Sequence, residues 1–221
     1  MTRPRVGRWV ALLTVLLVVV TVDVLLRGPL VELDVVLADY ERRNPLTGAA
    51  YRVPRVVVLL GQRAILLVPL LVLSIAASRR SRSWRPLVVT LLMLLALNGS
   101  TYLIQATTGR TLPGTGQDLL YAGGFGYPSG HTANATAILP LMALLIAGPV
   151  GIRPSPTLLR RLLIVAGLGA LVEGLTVTAL GWHWFTDALG GWFLGLIVLL
   201  PAAVVLLHPA RERRRAPAGR R

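Results

Sequence analysis

The chain has 221 residues, of which 54% are hydrophobic and 14% charged, with a mean hydropathy of +0.68. Soluble domains carry about 25% charged residues, so this composition excludes an ordinary soluble domain, and so much apolar side chain excludes intrinsic disorder. The net charge of +14 rests on 23 arginines and no lysine against nine acids, and the absence of cysteine removes disulfides, thiolate nucleophiles and cysteine metal sites together.

A bilayer core of about 30 Å is crossed by roughly 20 apolar residues in a helix. Six stretches have that length, approximately 9–26, 56–77, 86–108, 129–147, 162–180 and 183–207. They predict an all-α fold: a bundle of six transmembrane helices forming a single membrane domain over 1–221. The first stretch follows Arg3, Arg5 and Arg8, as a secretory signal would. No small-residue cleavage site follows it and Asp23 sits near its end, so it reads as an uncleaved first span. After it, Leu30, Leu33, Leu37 and Tyr40 recur at helical spacing with Glu32, Asp34, Asp39 and Glu41 between them. That pattern predicts a short amphipathic helix lying at the membrane interface. The segment from Gly109 to Pro128 is rich in glycine, and a tight turn falls near Gly181–Trp182. There is no internal repeat.

If six spans alternate, sixteen of the 23 arginines fall on one side, in the N-terminal tail, Ser78–Arg85, Val150–Arg161 and the C-terminal tail. The other side holds Arg27, Arg42, Arg43, Arg52, Arg55 and Arg110, largely offset by Glu32, Asp34, Asp39, Glu41 and Asp118. The positive-inside rule then places both termini in the cytoplasm and the glycine-rich loop outside the cell membrane. The charge reads as a topology signal and contact with lipid headgroups, not as a nucleic-acid surface. The Arg-rich tail, 208–221, is expected to be disordered and to lie against the membrane.

The informative polar residues gather on the less basic side. Gly126-Tyr127-Pro128-Ser129-Gly130-His131 ends the glycine-rich loop and opens the fourth span. Proline suits a first helical turn, and the N–H groups of Ser129, Gly130 and His131 are then free at a helix N-terminus, a natural anion site. Gly181-Trp182-His183-Trp184-Phe185-Thr186-Asp187 opens the sixth span. Residues four apart on a helix have Cβ atoms about 5–6 Å apart, so Asp187 can hold one nitrogen of His183 and leave the other as a base or nucleophile. One interfacial histidine is commonly just a satisfied polar group. Two histidines with Ser129 and Asp187 at one membrane depth point to a site.

Pro128-Ser129-Gly130-His131, followed 52 positions after His131 by His183-x-x-x-Asp187 in a six-span chain, resembles the type-2 phosphatidic acid phosphatase superfamily. The resemblance covers Gln105 to Asp187 by motif and nearly the whole chain by topology. It implies an integral membrane enzyme without metal or cofactor that hydrolyses a lipid phosphate or diphosphate, polyprenyl or glycerolipid, at the outer membrane face. His183 would attack phosphorus to give a phosphohistidine, Asp187 would orient it, and His131 would protonate the leaving oxygen. Ser129 and the backbone of Gly130 would bind phosphoryl oxygens. The family's first motif is lysine, six residues, then arginine-proline; with Pro113 on the proline, Leu112 replaces the arginine and Gln105 the lysine. Val177 stands where an arginine precedes the third-motif histidine by six. Arg110 is therefore expected to be the principal phosphate ligand, with Gln105 donating a neutral hydrogen bond.

The same neutral positions suit a lipid-phosphate binding or scaffold protein whose phosphate clamp has decayed. An intramembrane serine protease of the rhomboid type would use Ser129 and His183, but the context is not Gly-x-Ser-Gly, and His131 and Asp187 would have no part. Glu173 and Arg63 are expected to pair between two spans at similar depth, with Arg63 as a charge for the phosphate site the alternative. Asp23 and Arg27, four apart, are expected to pair with each other. Trp182, Trp184 and Trp192 read as interfacial anchors or packing, and His208 as a boundary residue. The glycosylation-like triplets at Asn98 and Asn134 fall inside spans and are discounted.

Overall fold

The computed structural model describes residues 3–208; the Arg-rich tail beyond His208 lies outside the described residues. Among these there is no strand. Eight α-helices follow in order: α1 (Arg3–Leu26), α2 (Pro29–Arg43), α3 (Gly48–Val57), α4 (Arg63–Ser81), α5 (Arg85–Thr108), α6 (Gly130–Ala147), α7 (Pro156–Ala179) and α8 (Phe185–Leu207). Six of them, α1 and α4 to α8, are long and apolar enough to cross a bilayer.

The bundle is organised around α6, which packs against α4, α5, α7 and α8 and is buried without interruption from Thr132 to Ile138. Its sequence explains this central place. In lipid the hydrophobic effect gives helices little reason to associate, so close approach of small side chains and interhelical hydrogen bonds decide the contacts. α6 presents Thr132, Ala133 and Thr136 to α8, which meets them with Gly191 and Gly195, spaced four apart. A Cβ on Gly195 would stand 2.7 Å from the Thr136 Cβ and 2.9 Å from the Ala133 carbonyl oxygen. Away from the polar residues of interest, Leu70, Leu97, Ile138, Leu141, Leu145 and Leu206 fill the interior.

Three expectations change. The apolar run 56–77 is not one helix. It holds the end of α3, a 3-10 turn over Val58–Gly61 and, after an extended Gln62, the first part of α4. Hydropathy cannot register such a break, although Gly61-Gln62-Arg63 interrupts the run. Arg63 is consequently the first residue of its span rather than a residue within it. The second change concerns α2. Its buried face is Val31, Asp34 and Ala38, whereas Leu33 and Tyr40 of the expected apolar stripe are exposed. The inward face is thus mixed: Val31 and Ala38 pack while the buried Asp34 finds polar partners inside. Thirdly, Asp23 does not pair with Arg27. Its carboxylate accepts from the Leu30 and Val31 N–H groups at the start of α2 (3.4 and 3.2 Å), and Arg27 donates to the Asp118 carbonyl at 2.6 Å.

The α6–α8 contact makes a paired prediction. Gly195→Ala is expected to destabilise the protein in detergent by about 1–3 kcal/mol, the scale of overpacking an interior. Gly167 has nothing within 4 Å of its Cβ position, so Gly167→Ala is expected to leave the thermal unfolding midpoint unchanged or raise it. Equal midpoints for the two variants would refute the packing argument.

Candidate active site

His131 lies in the first turn of α6, and His183 lies in the turn that joins α7 to α8. The chain reverses there through Gly181, at φ +63°, and the N–H groups of Trp182 and His183 both close on the Val177 carbonyl (3.0 and 3.2 Å). The two imidazoles are 6.1 Å apart between ring centroids, tilted by 59°, and both line one open cavity of about 520 Å³. The Asp187 Oδ2 lies 3.2 Å from His183 Nδ1 and also accepts the Trp184 N–H at 3.0 Å. One carboxylate thus caps the start of α8 and orients the imidazole. With Nδ1–H donating to Asp187, the lone pair of His183 sits on Nε2.

Arg110 is not in that cavity. Its side chain is completely buried and all five of its N–H donors are engaged. Nε and Nη2 hold the two oxygens of Asp118 at 2.8 and 2.9 Å. Nη1 donates to Thr186 Oγ1 at 2.6 Å and Asp187 Oδ1 at 3.0 Å, and Nη2 also reaches Asp34 Oδ2 at 2.8 Å. The guanidinium lies 5.2 Å from the centre of the Trp184 ring. The sequence assigns Arg110 to phosphate; the structure gives it to three carboxylates, because a buried guanidinium is held best where all its donors find acceptors.

The glycine-rich loop is shaped to permit this. The Gly124 and Gly126 residues lie against the Arg110 carbonyl, which accepts the Gly126 N–H at 2.9 Å. A side chain at Gly124 would collide with that backbone. Trp184 donates its indole N–H to the Thr111 carbonyl at 2.7 Å, so it serves packing more than a membrane interface.

Asp34 is the residue the sequence pattern hides. Its carboxylate accepts the Thr186 N–H at 2.9 Å and the Thr186 hydroxyl at 2.5 Å, beside its bond to Arg110. The positive N-terminus of α8 is therefore occupied by an internal carboxylate and not open to a ligand. Burial pushes the Asp34 carboxyl above the ordinary carboxylate range, against the opposing pull of Arg110 and Thr186. The only signal in the sequence is an acid at helical spacing with Val31 and Ala38.

The remaining expected ligands divide. Gly130 and Gln105 line the histidine cavity, but Gln105 Nε2 donates to the Phe125 and Pro128 carbonyls, both at 3.0 Å. Both amide hydrogens are thereby spent. Ser129 is fully buried; its hydroxyl oxygen accepts the Thr132 N–H and the Thr132 hydroxyl (3.3 and 3.2 Å), capping α6. Leu112 lines the cavity, and Val177 is completely buried away from it.

The α3–α4 junction adds Gln62, which no sequence pattern marks, and carries Arg63, the alternative charge for the phosphate site. Gln62 Oε1 lies 2.9 Å from His131 Nε2, and Arg63 lines the cavity beside it. Arg63 and Glu173 form no ion pair among the described residues. Glu173 is completely buried, and neither carboxylate oxygen has a hydrogen-bond partner there. Its Oε1 stands 2.7 Å from where a Gly61 Cβ would be.

The apolar spans and the paired histidines at one end of them define a multi-pass membrane protein with a polar site recessed between helices. A sequence model of the PAP2 superfamily matches residues 87–212, more than half of the chain, and the chain belongs to that superfamily. Phosphatidylglycerophosphatase B of Bacillus subtilis (strain 168) is 34% identical to it over 83 residues, 36% of this chain and 38% of that protein. The matched chain thus spans well under half of that relative's length. The crystal structure of a transmembrane PAP2 type phosphatidylglycerolphosphate phosphatase from Bacillus subtilis has the same fold, with a TM-score of 0.70 over 92% of this chain and 98% of that one, at 22% identity.

The buried cluster yields a stability prediction. Removing one partner of a buried charge pair costs about 3–5 kcal/mol, so Asp34→Ala is expected to lower the unfolding midpoint in detergent sharply. Asp39 pairs with Arg42 at the exposed surface, and Asp39→Ala should change stability by less than about 1 kcal/mol.

Proposed function

We propose that the protein is an integral membrane phosphatase that hydrolyses a lipid phosphate through a phosphohistidine at His183. The observation that carries this reading is the pair of imidazoles across one cavity, 6.1 Å apart, with His183 Nδ1 on Asp187. A phosphoryl group between the rings can meet a nucleophile on one side and a proton donor on the other, within the roughly 3 Å reach that proton transfer requires.

In the first step the His183 Nε2 lone pair attacks phosphorus. The bond from phosphorus to the lipid oxygen breaks, and protonated His131 gives its proton to that oxygen. In the second step His131, now neutral, takes a proton from water as the water oxygen attacks phosphorus; the N–P bond breaks and phosphate leaves. Asp187 stabilises the positive charge that His183 acquires when it is phosphorylated. The apolar lining from Leu67, Leu112 and Phe125 suits a lipid approaching from the bilayer. The names of the relatives make phosphatidylglycerophosphate the first substrate to try, with phosphatidic acid and polyprenyl phosphates and diphosphates beside it.

Phosphate release by the purified protein from that panel is expected for at least one lipid. His183→Ala should abolish it, and Asp187→Asn should lower kcat by about a hundredfold or more, the scale of losing an essential preorganised group. Release that survives His183→Ala would overturn the mechanism. Binding of the lipid without release in the wild type would favour a lipid-phosphate binding or scaffold role, the reading that Gln105, Leu112 and Val177 support.

The arginine asymmetry supports a cell-membrane location with both termini in the cytoplasm and the histidines outside. Single cysteines placed at Thr115 and Arg215 of the cysteine-free chain should label from opposite sides of the membrane. Labelling of both from the same side would overturn that topology.

A further inference from the structure

A phosphoryl group on His183 needs positive charge around its oxygens, because electrostatic stabilisation is usually the largest catalytic contribution. The positions that resemble the family's phosphate clamp do not supply it. Arg110 has no free donor. Gln105 has spent both amide hydrogens on backbone carbonyls, so it can turn only an acceptor oxygen toward an anion. Leu112 and Val177 are apolar. Among the residues lining the cavity, Arg63 is the one arginine.

The chain holds Arg63 there by a built feature. The 3-10 turn Val58–Gly61 ends at an extended Gln62, and α4 starts at Arg63. Gly61 lies so close to α6 that an added Cβ would stand 2.5 Å from the His131 carbonyl oxygen. Asn134 of α6 donates to the Gly61 carbonyl at 3.2 Å, and Gln62 reaches the His131 ring. The junction is thus anchored to α6 by three contacts from two consecutive residues, Gly61 and Gln62. No side chain caps α4. The N–H groups of Arg63 and Ala64 have no partner among the described residues, and both residues line the cavity. The N–H groups of Gly130 and His131 at the start of α6 are free in the same sense. Two helix N-termini therefore converge on the histidine cavity, those of α4 and α6, while that of α8 is filled by Asp34.

We propose that Arg63, with the backbone N–H groups at the starts of α4 and α6, is the phosphate clamp of this protein, replacing from a different helix the cations absent at positions 105, 112 and 177. Gln62 acts as a positioning residue that fixes the His131 ring. The proposal rests on the phosphatase reading for its catalytic consequence, but the binding of phosphate by Arg63 is separable from turnover.

The test uses the full-length protein in detergent, with two readouts: phosphate release from the best lipid of the panel, and the rise in unfolding midpoint caused by millimolar inorganic phosphate. Arg63→Ala is expected to lower kcat/KM about a hundredfold or more and to remove the phosphate-induced shift, while its own midpoint without phosphate stays close to wild type. Arg63→Lys should recover part of both. Adding Leu112→Arg to Arg63→Ala should restore activity in part, since position 112 borders the same cavity. Gln62→Ala should alter the pH profile of kcat while leaving the phosphate shift in place. Arg42→Ala, at a surface ion pair, should leave both readouts unchanged.

Arg63→Ala with normal turnover and a normal phosphate shift would overturn the clamp and leave the phosphatase reading standing. A wild type that binds phosphate through Arg63 yet releases none from any lipid would overturn the phosphatase reading and leave the clamp standing. A wild type showing neither release nor a phosphate shift would overturn both.

Discussion

The half of the site that carries His183 depends on one buried guanidinium. Arg110 ties α2 through Asp34, the glycine-rich loop through Asp118 and α8 through Thr186 and Asp187. Asp187 then passes that constraint to His183. A charge buried so completely is costly unless every donor is matched, and this matching leaves Arg110 one geometry. The orientation of His183 is thereby coupled to a residue on α2, more than a hundred positions earlier in the chain. Asp187 serves both neighbours because its two oxygens divide the work, Oδ1 toward Arg110 and Oδ2 toward His183 and the start of α8.

Much of this was readable from residue order. Five of the six apolar stretches coincide with helices long and apolar enough to span, with ends within two residues except at the starts of α1 and α7, each of which begins six residues earlier. His131, His183 and Asp187 announce themselves because polar residues at span ends are few and their spacing is helical. What escaped is instructive. The α2 stripe of Leu30, Leu33, Leu37 and Tyr40 follows the logic of water, in which apolar side chains mark the inward face. In the structure Val31 and Ala38 share the inward face with Asp34, the residue that water would solvate, which turns to Thr186 and Arg110. The position of Arg63 at a helix start is hidden for another reason: a window of apolar residues averages over Gly61 and Gln62, so a helix start looks like a helix interior.

Apolar windows place Arg63 inside a span, and the order Ser129, Gly130, His131 places an anion site at the start of α6 with Arg110 as its principal cation. In the structure α8 already holds an anion, the Asp34 carboxylate. Helix starts attract negative charge whether it belongs to a ligand or to the protein. An internal carboxylate at α8 therefore takes the Thr186 N–H that an anionic ligand would otherwise meet there. α4 has no such cap and stays available.

This division separates two duties that a single arginine could not perform together. A guanidinium that holds Asp187 must be saturated and dry, since a vacant donor in a buried cluster would carry the cost of an unmet charge. A guanidinium that binds phosphate must do the opposite and keep its donors open to a group that arrives and leaves. Arg110 satisfies the first condition, and Arg63, exposed at the rim, satisfies the second. Withdrawing Arg110 toward a substrate would release Asp187 and with it the imidazole that attacks, so added positive charge in this site has to enter at its rim, at Arg63 or Leu112, and not through the buried cluster.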